Sequence, residues 1–324
     1  MAAKLKSERF TLASADLGAA VARLGLALPE APLFADVPTG NTELDPKWMR
    51  GKKLRAELTA AVEALCSPDF VLRYTRLLAS SSLMLESWVL ATRSKAPFFL
   101  VSRNSEGDWD VLLMATKGEL KQTLGKLSFG DAAPRVESDA PPGVQVTLNA
   151  LYVLAAAGDL QNRYEAEALL SFRPGEAKSV YNRPLDSRAL SQQVTEAVES
   201  CDLRWSVCRL MNTVGLSSDE TELGTLLERG ISALQTATLV DQERMLSLSA
   251  VGLMQLIRSS SELKSFVKVK EFPDKPELSM LSSLESNHGK LLLVWHLDED
   301  PALVTVILDE QGYVGYSLLG RYLN

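Results

Sequence analysis

Apolar positions along the chain fall into two stretches that repeat one order of elements. In the first, a helical period ends at Cys66, the strand-like run FFLVS begins 32 residues later at Phe98, and WDVLLMA starts after 11 more at Trp109. In the second, a helical period ends at Arg258, LLLVW begins 33 residues later at Leu291, and ALVTVIL starts after 11 more at Ala302. The match predicts an α+β fold built from two duplicated antiparallel-sheet units. The period is too long for a solenoid.

Within the first unit, an Ala/Leu-rich period predicts a helix over about Ala13–Leu28, which the Pro-rich LPEAPLFADVPTGNTELDP breaks. Leu54, Leu58, Ala61, Val62 and Leu65 predict a helix over Trp48–Cys66, ended by Ser67 and Pro68. Strands are predicted over Phe70–Leu78, Leu83–Ala91, Phe98–Ser102 and Trp109–Ala115, the last two joined by the hairpin turn NSEGD. A helix over Glu119–Leu127 closes the unit. The links are too short for crossover helices, so the strands form an antiparallel meander with flanking helices.

The Pro-, Gly-, Asp- and Ser-rich segment 128–143 divides this first subdomain (1–127) from a mostly helical middle region (144–246). One face there carries Leu148, Leu151, Leu154 and Ala155; another carries Val194, Val198, Cys201 and Trp205. Asp219 and Glu222 are spaced as a helix cap. The second subdomain (247–324) opens with a helix around Leu248–Ile257, continues through LKSFVKVKEF and PDKP, and reaches strands at Leu291–Leu297, Ala302–Leu308 and Tyr313–Leu319. On this reading the second unit ends in a strand where the first ends in a helix.

Charge and composition narrow the function classes. The 324 residues include 41 acidic and 34 basic side chains, a formal net charge of −7 that works against phosphate attraction and hence against nucleic acid as a partner. The densest basic group, Arg50, Lys52, Lys53 and Arg55, reads as a solvated face at a helix start. Three cysteines, Cys66, Cys201 and Cys208, suit a reduced interior, and with Cys201 and Cys208 seven apart on one helix no disulfide is expected. The longest apolar run, 150–158, is too short to span a bilayer, and the start MAAKLKSERF has no secretory pattern. The expected address is the cytoplasm, away from membranes.

The search for chemistry returns no catalytic motif. His288 sits in a turn and His296 on a strand, without a nucleophile elbow or a cysteine signature beside them. Neither CxxC nor HExxH spacing occurs, so no metal is expected. GELKQTLGK has too many residues between its glycines for a phosphate loop, and no GxGxxG follows a strand, so no cofactor is expected either. Asp298, Glu299 and Asp300, and likewise Asp309 and Glu310, lie in short links where turn formation accounts for them. Ser80–Ser82 and Ser259–Ser261 mark element boundaries.

Both faces of LLLVWHL are apolar, with Leu291, Leu293, Trp295 and Leu297 on one and Leu292, Val294 and His296 on the other. A sheet packed on one side alternates apolar and polar residues, so both faces need cover. The chain's own helices supply it on one account and a partner protein on the other.

The order LRAELTAAVEALCSPDFVLRY, apolar strand, EGDW hairpin and GELKQTL helix, followed by PPGVQVTLNALYVLAAAGD, resembles the EspG-type chaperones of type VII (ESX) secretion systems. The resemblance covers about residues 50–170 in pattern. It implies a cytosolic, non-enzymatic chaperone with two quasi-twofold-related subdomains, holding secretion substrates at a loop between sheet strands and a helical bundle. By pattern that loop is Ser105, Glu106, Gly107 and Asp108. Trp109, which completes the EGDW motif, and Trp295, on the apolar strand, join them as expected partner-binding residues.

The leading expectation is therefore a protein-binding chaperone or adaptor for a partner with amphipathic helices, of open oligomeric state. An enzyme whose acidic residues gather only in three dimensions is the first alternative. A winged-helix regulator hidden in LGTLLERGISALQTATLVDQE is the second, weakened by the acidic residues of that segment.

Overall fold

The computed structural model describes residues 6–31, 34–38, 43–92, 96–130, 143–172, 178–214, 220–271, 275–287, 289–309 and 313–323. Strand β1 (Glu8–Leu12) leads directly into helix α1 (Ser14–Leu24), and a ribbon of β2 (Met49–Arg50) and β3 (Lys53–Leu54) precedes α2 (Ala56–Cys66). The meander β4 (Phe70–Leu78), β5 (Leu83–Ala91), β6 (Phe98–Arg103) and β7 (Trp109–Met114) follows, closed by α3 (Lys117–Phe129). The scheme then repeats. Strand β8 (Val144–Thr147) leads directly into α4 (Leu148–Leu170), and α5 (Ser187–Ser200), α6 (Ser206–Val214) and α7 (Glu220–Thr236) build a bundle before α8 (Leu248–Arg258). A second meander of β9 (Ser260–Glu271), β10 (Lys275–Ser286), β11 (Gly289–His296) and β12 (Leu303–Leu308) ends in α9 (Tyr313–Tyr322).

All ten long strands join one sheet, in the order β1-β7-β6-β5-β4-β9-β10-β11-β12-β8. Each half reads outward from the centre in the same order, so a local two-fold lies between β4 and β9. These two strands pair antiparallel from Leu72 with Lys268 to Leu78 with Glu262. The duplication is thus real in the fold, and its two units share a single sheet.

One face of the sheet carries two helical layers. Over the first half, α1 and α2 pack Leu17, Leu58 and Leu65 against Leu90, Val101 and Trp109. Over the second, α4 and the bundle pack Leu151, Leu154 and Met254 against Leu263, Leu293 and Trp295. Across the opposite face α3 and α9 bury Leu72, Phe98, Phe266, Leu281, Leu292 and Ile307. Both sides of β11 are therefore sealed by this chain's own helices. The account in which a partner covers that strand is overturned, and a docking surface has to lie elsewhere.

Several local expectations change. Residues 313–319 belong to helix α9, not to a strand: the Asp309 carboxylate accepts the amides of Val314 (3.3 Å) and Gly315 (2.7 Å) and starts a helix there. Both units consequently end in a helix, and the repeat is closer than the sequence suggests. Arg50 and Lys53 pair across the β2–β3 ribbon, turned at Gly51 (φ 65°), so the helix starts only at Ala56. Cys201 ends α5 while Cys208 lies on α6, so they share no helix, and all three cysteines are free thiols. Trp205 likewise lies beyond α5. The Leu223–Glu243 segment is the end of one long helix, α7, and a turn, packed on α4 and α5 rather than folded as a winged helix. Asp219 and His288 fall outside the described residues.

Candidate protein-docking site

Strand β5 begins with three consecutive apolar residues that its own fold leaves in solvent: Leu83, Met84 and Leu85 are 44%, 50% and 43% exposed. Two features of the sheet cause this. Strand β4 covers one side of this stretch, pairing Leu78 with Leu83 and Arg76 with Leu85. On the other side β6 pairs only with Trp88–Leu90, so the β4–β5 hairpin overhangs its neighbour. Side chains alternate, placing Met84 on the bundle side and Leu83 and Leu85 on the α3 side. Leu127 of α3, 40% exposed, joins the latter end, its carbonyl accepting the Tyr74 hydroxyl at 3.3 Å.

The overhang is braced. Ala79 donates its amide to the Ser261 carbonyl at 2.9 Å, tying the turn to the start of β9. Ser82, in the left-handed region (φ 49°), donates its hydroxyl to Asp202 at 3.0 Å, tying it to the corner between α5 and α6. The Asp202 carboxylate also accepts the amide and guanidinium of Arg204, and the hydrogen bond from that guanidinium, ahead of the backbone and Ser82 bonds, lowers its pKa to about 2. Charge-assisted bonds of this kind keep the corner ordered across ordinary pH.

That corner is anchored in turn from inside the bundle. Asp159 of α4, fully buried, accepts the amides of Ser206 and Val207 (both 2.9 Å) and so caps α6 from a different helix. Arg209, also fully buried, donates to the carbonyls of Leu203 (2.7 Å), Arg204 (3.0 Å) and Ser260 (2.9 Å), which joins the corner to β9. Burial pushes the Asp159 carboxyl up to about 6 against the pull of those amides and of Arg209, and burial pushes the Arg209 guanidinium down.

The residues singled out by sequence fall in two settings. Ser105, Glu106, Gly107 and Asp108 form the β6–β7 turn, at the same end of the meander as the β4–β5 turn. Asn104 organises it, its side-chain oxygen accepting the amides of Glu106 and Asp108 (both 3.0 Å), and Gly107 takes φ 85°. The Gly107 carbonyl accepts Ser14 of α1 at 2.9 Å, so this turn lies beside the N-terminal helix, whereas the β4–β5 turn meets the bundle. Trp109 is buried, stacked on Phe34 and donating to Ser14 at 3.2 Å. Trp295 is buried too, its indole donating to Ser282 at 2.9 Å. Both indoles are framework beneath the surface.

Sequence reasoning missed Leu83–Leu85, although the signal was there: LML follows a serine turn without the polar alternation of a half-buried strand. It also missed a second exposed group, Leu169, Leu170 and Phe172 at the end of α4. Leu170 lies 11 residues beyond Asp159, about 16 Å further along the helix and away from the braced corner.

The charged cluster over the sheet centre is internally paired. Arg76 and Lys264 both meet Glu262, and Lys264 and Lys290 both meet Glu285, so in this ladder over the sheet centre every charge has an opposite partner, three cations to two carboxylates. Asp298–Asp300 form the β11–β12 turn, and His296 bonds Thr305 across strands at 3.2 Å. Among the described residues no group of three or more His, Cys, Asp or Glu is arranged to hold a metal ion, and no helix is long and apolar enough to cross a membrane.

No protein-family model matches the sequence, and no curated protein matches it. Among solved structures, the chain is similar to the Mycobacterium tuberculosis type VII secretion system chaperone EspG5 in complex with the PE25-PPE41 dimer. The two share 12% identity and a TM-score of 0.48, with 98% of this chain and 95% of that chain covered.

Proposed function

We propose that this chain is a non-enzymatic, cytoplasmic protein-binding chaperone or adaptor of the EspG type, which takes an apolar, helix-bearing partner at the β4–β5 tip. One observation carries the reading: Leu83, Met84 and Leu85 are held out in solvent on a hairpin braced to the bundle through Ser82 and Asp202. A rigid, exposed apolar projection has little value to the isolated fold, since those side chains are left about half exposed, whereas an amphipathic helix laid along its α3 side buries Leu83 and Leu85. Bracing lowers the ordering cost of association, because the hairpin is already fixed before the partner arrives.

The Ser105–Asp108 turn forms the second part of the proposed contact, at the same end of the meander, with Trp109 buried beside it; Trp295, on β11 in the other half of the sheet, supports the bundle. In a type VII secretion setting the partner is a substrate whose helical tip is shielded until export.

The test is co-purification from the native cell, comparing the natural chain with a Leu83→Ser, Met84→Ser, Leu85→Ser variant. The expected result is a stoichiometric helical partner with the natural chain and at least a tenfold loss with the variant, at unchanged thermal stability. Recovery of the natural chain alone, or equal partner recovery by the variant, overturns the reading.

A further inference from the structure

Two turns at the surface carry unpaired charge of opposite sign. On the β2–β3 ribbon, Arg50, Lys52 and Lys53 are all exposed, and among the described residues none of these side chains has a carboxylate, hydrogen-bond or ring partner. Arg50 and Lys53 stand directly opposite each other, so two like charges share one face of a two-residue ladder. Such a pair destabilises the isolated ribbon, and no described side chain offsets it. In the β11–β12 turn, Asp298, Glu299 and Asp300 are exposed in succession, again without a side-chain partner among the described residues. One aspartate is enough to set a turn, so three acids in a row crowd like charge to no local benefit.

The fold sets these turns at one end of the sheet. Arg23, in the last turn of α1, donates to the Lys52 carbonyl at 3.0 Å, and Arg55, just after the ribbon, reaches Glu8 at 3.0 Å. Helix α1 starts beside the β6–β7 turn, and Glu8 is the end of β1 remote from that turn, since Leu12 pairs with Trp109 and Glu8 with Leu113. The ribbon therefore sits at the opposite end of the sheet from the β4–β5 tip. The β11–β12 turn is the counterpart of the β6–β7 turn under the local two-fold. That axis passes through the sheet, because both helical layers lie on one face, so it carries the β11–β12 turn to the ribbon's end as well. The ribbon lies toward the β1 edge and the acidic turn toward the β8 edge, on either side of the middle. A second copy abutting this end, turned about an axis parallel to the local two-fold, brings each ribbon to the other copy's acidic turn. Both contacts close at once, as an isologous pair requires.

We propose that this end of the sheet is a self-association surface, at which the basic β2–β3 ribbon of each copy takes the acidic β11–β12 turn of a second copy in a closed two-fold dimer. The Arg50 guanidinium forks onto a carboxylate, and Lys52 and Lys53 add mobile point charges. With a net charge of −7 per chain, copies repel one another in general, so association depends on this directed contact. The β4–β5 tips stay at the outer ends of the pair, and partner docking there is independent of it.

The test is sedimentation velocity of the full chain in about 50 mM salt, where charges in contact are little screened. Two charge reversals accompany it, Lys52→Glu, Lys53→Glu on the ribbon and Asp298→Lys, Glu299→Lys on the turn. The natural chain is expected to show a concentration-dependent monomer–dimer equilibrium, and each reversal alone to weaken it at least tenfold without lowering the melting temperature. An equimolar mixture of the two variants is expected to recover the dimer, because each reversed ribbon then meets a reversed turn and each natural ribbon a natural turn. If a reversal lowers the melting temperature, the neutral Lys52→Gln, Lys53→Gln and Asp298→Asn, Glu299→Gln variants replace it, with a smaller weakening expected. A natural chain that is monomeric at every concentration, association that either set of changes leaves intact, a mixture of reversals that stays monomeric, or species that grow beyond the dimer overturns the proposal.

Discussion

Gly125 of α3 faces Tyr316 of α9 so closely that a Cβ on the glycine would overlap the tyrosine ring. The relation recurs in reverse one turn away, where Gly315 of α9 receives the ring of Phe129 from α3. Each helix thus puts an aromatic ring into a gap that only glycine leaves in the other, across the local two-fold. Gly125→Ala and Gly315→Ala are each expected to destabilise the protein by about 1–3 kcal/mol, the usual cost of overpacking. Gly224→Ala in α7 and Gly252→Ala in α8 meet open space, so they are expected to stabilise by roughly 0.5–1 kcal/mol through helix propensity alone. Urea midpoints of the four variants decide it. A Gly315→Ala midpoint at or above the natural one would show that the helices separate freely.

Asp159 gives stability an unusual pH dependence. Its folded pKa, raised by burial from 3.8 to about 6, means that the folded state holds this proton more tightly than the unfolded chain does. Between about pH 4 and 6 the folded state then binds more protons, so stability from this residue falls as pH rises through that window and is level above it. The full span is roughly 3 kcal/mol. An Asp159→Asn variant lacks the slope, and its stability relative to the natural chain is expected to improve by that amount from pH 4 to 6.5. Carbon-13 titration of the carboxyl is the direct check. A midpoint below 4 would mean that the Ser206 and Val207 amides and Arg209 outweigh burial.

Much of the architecture was legible because the signals are local. Strands β4 to β7 and β11 to β12 are short apolar runs between turn residues, and the repeat shows in their spacing. Strands β9 and β10 were not legible, because Glu262 and Lys264 read as surface residues yet are paired with Arg76 and Glu285 within the fold. Residues 313–319, rich in aromatic and apolar types, fit a strand by propensity, and it is the Asp309 cap together with packing on α3 that makes them helical. The candidate site was hidden for a similar reason. The unbroken apolar run LML marks Leu83–Leu85 as unusual, but that they stand in solvent depends on where β6 stops pairing with β5, which those three residues do not encode.

Cys201 offers a test of local strain. It ends α5 in the left-handed conformation, φ 48° and ψ 29°, with its amide bonded back to Val198. A side chain in this region costs about 1–2 kcal/mol that glycine avoids. Cys201→Gly is therefore expected to raise stability by roughly 0.5–1 kcal/mol, while Cys201→Val, β-branched, is expected to lower it. Thermal melting under reducing conditions separates these outcomes from thiol oxidation. Equal melting of both variants would mean that α5 ends differently in solution.

The brace beneath the docking tip is tested by Ser82→Ala. The change removes one hydrogen bond, to Asp202, at an exposed position, so global stability is expected to fall by no more than about 0.5–1 kcal/mol. Its effect on a partner is expected to be larger than that of a neutral surface change, because an unbraced hairpin has to be ordered during association. A threefold to tenfold loss of affinity, smaller than the loss from replacing Leu83, Met84 and Leu85 together, is the expected order. Asp202→Asn is expected to match Ser82→Ala in affinity and to exceed it in lost stability, since it also weakens the 2.6 Å pair with Arg204. Binding by calorimetry and unfolding by urea, measured on the same samples, resolve the two contributions. If Ser82→Ala binds as tightly as the natural chain, the apolar tip works without its brace and the bundle corner has no part in docking.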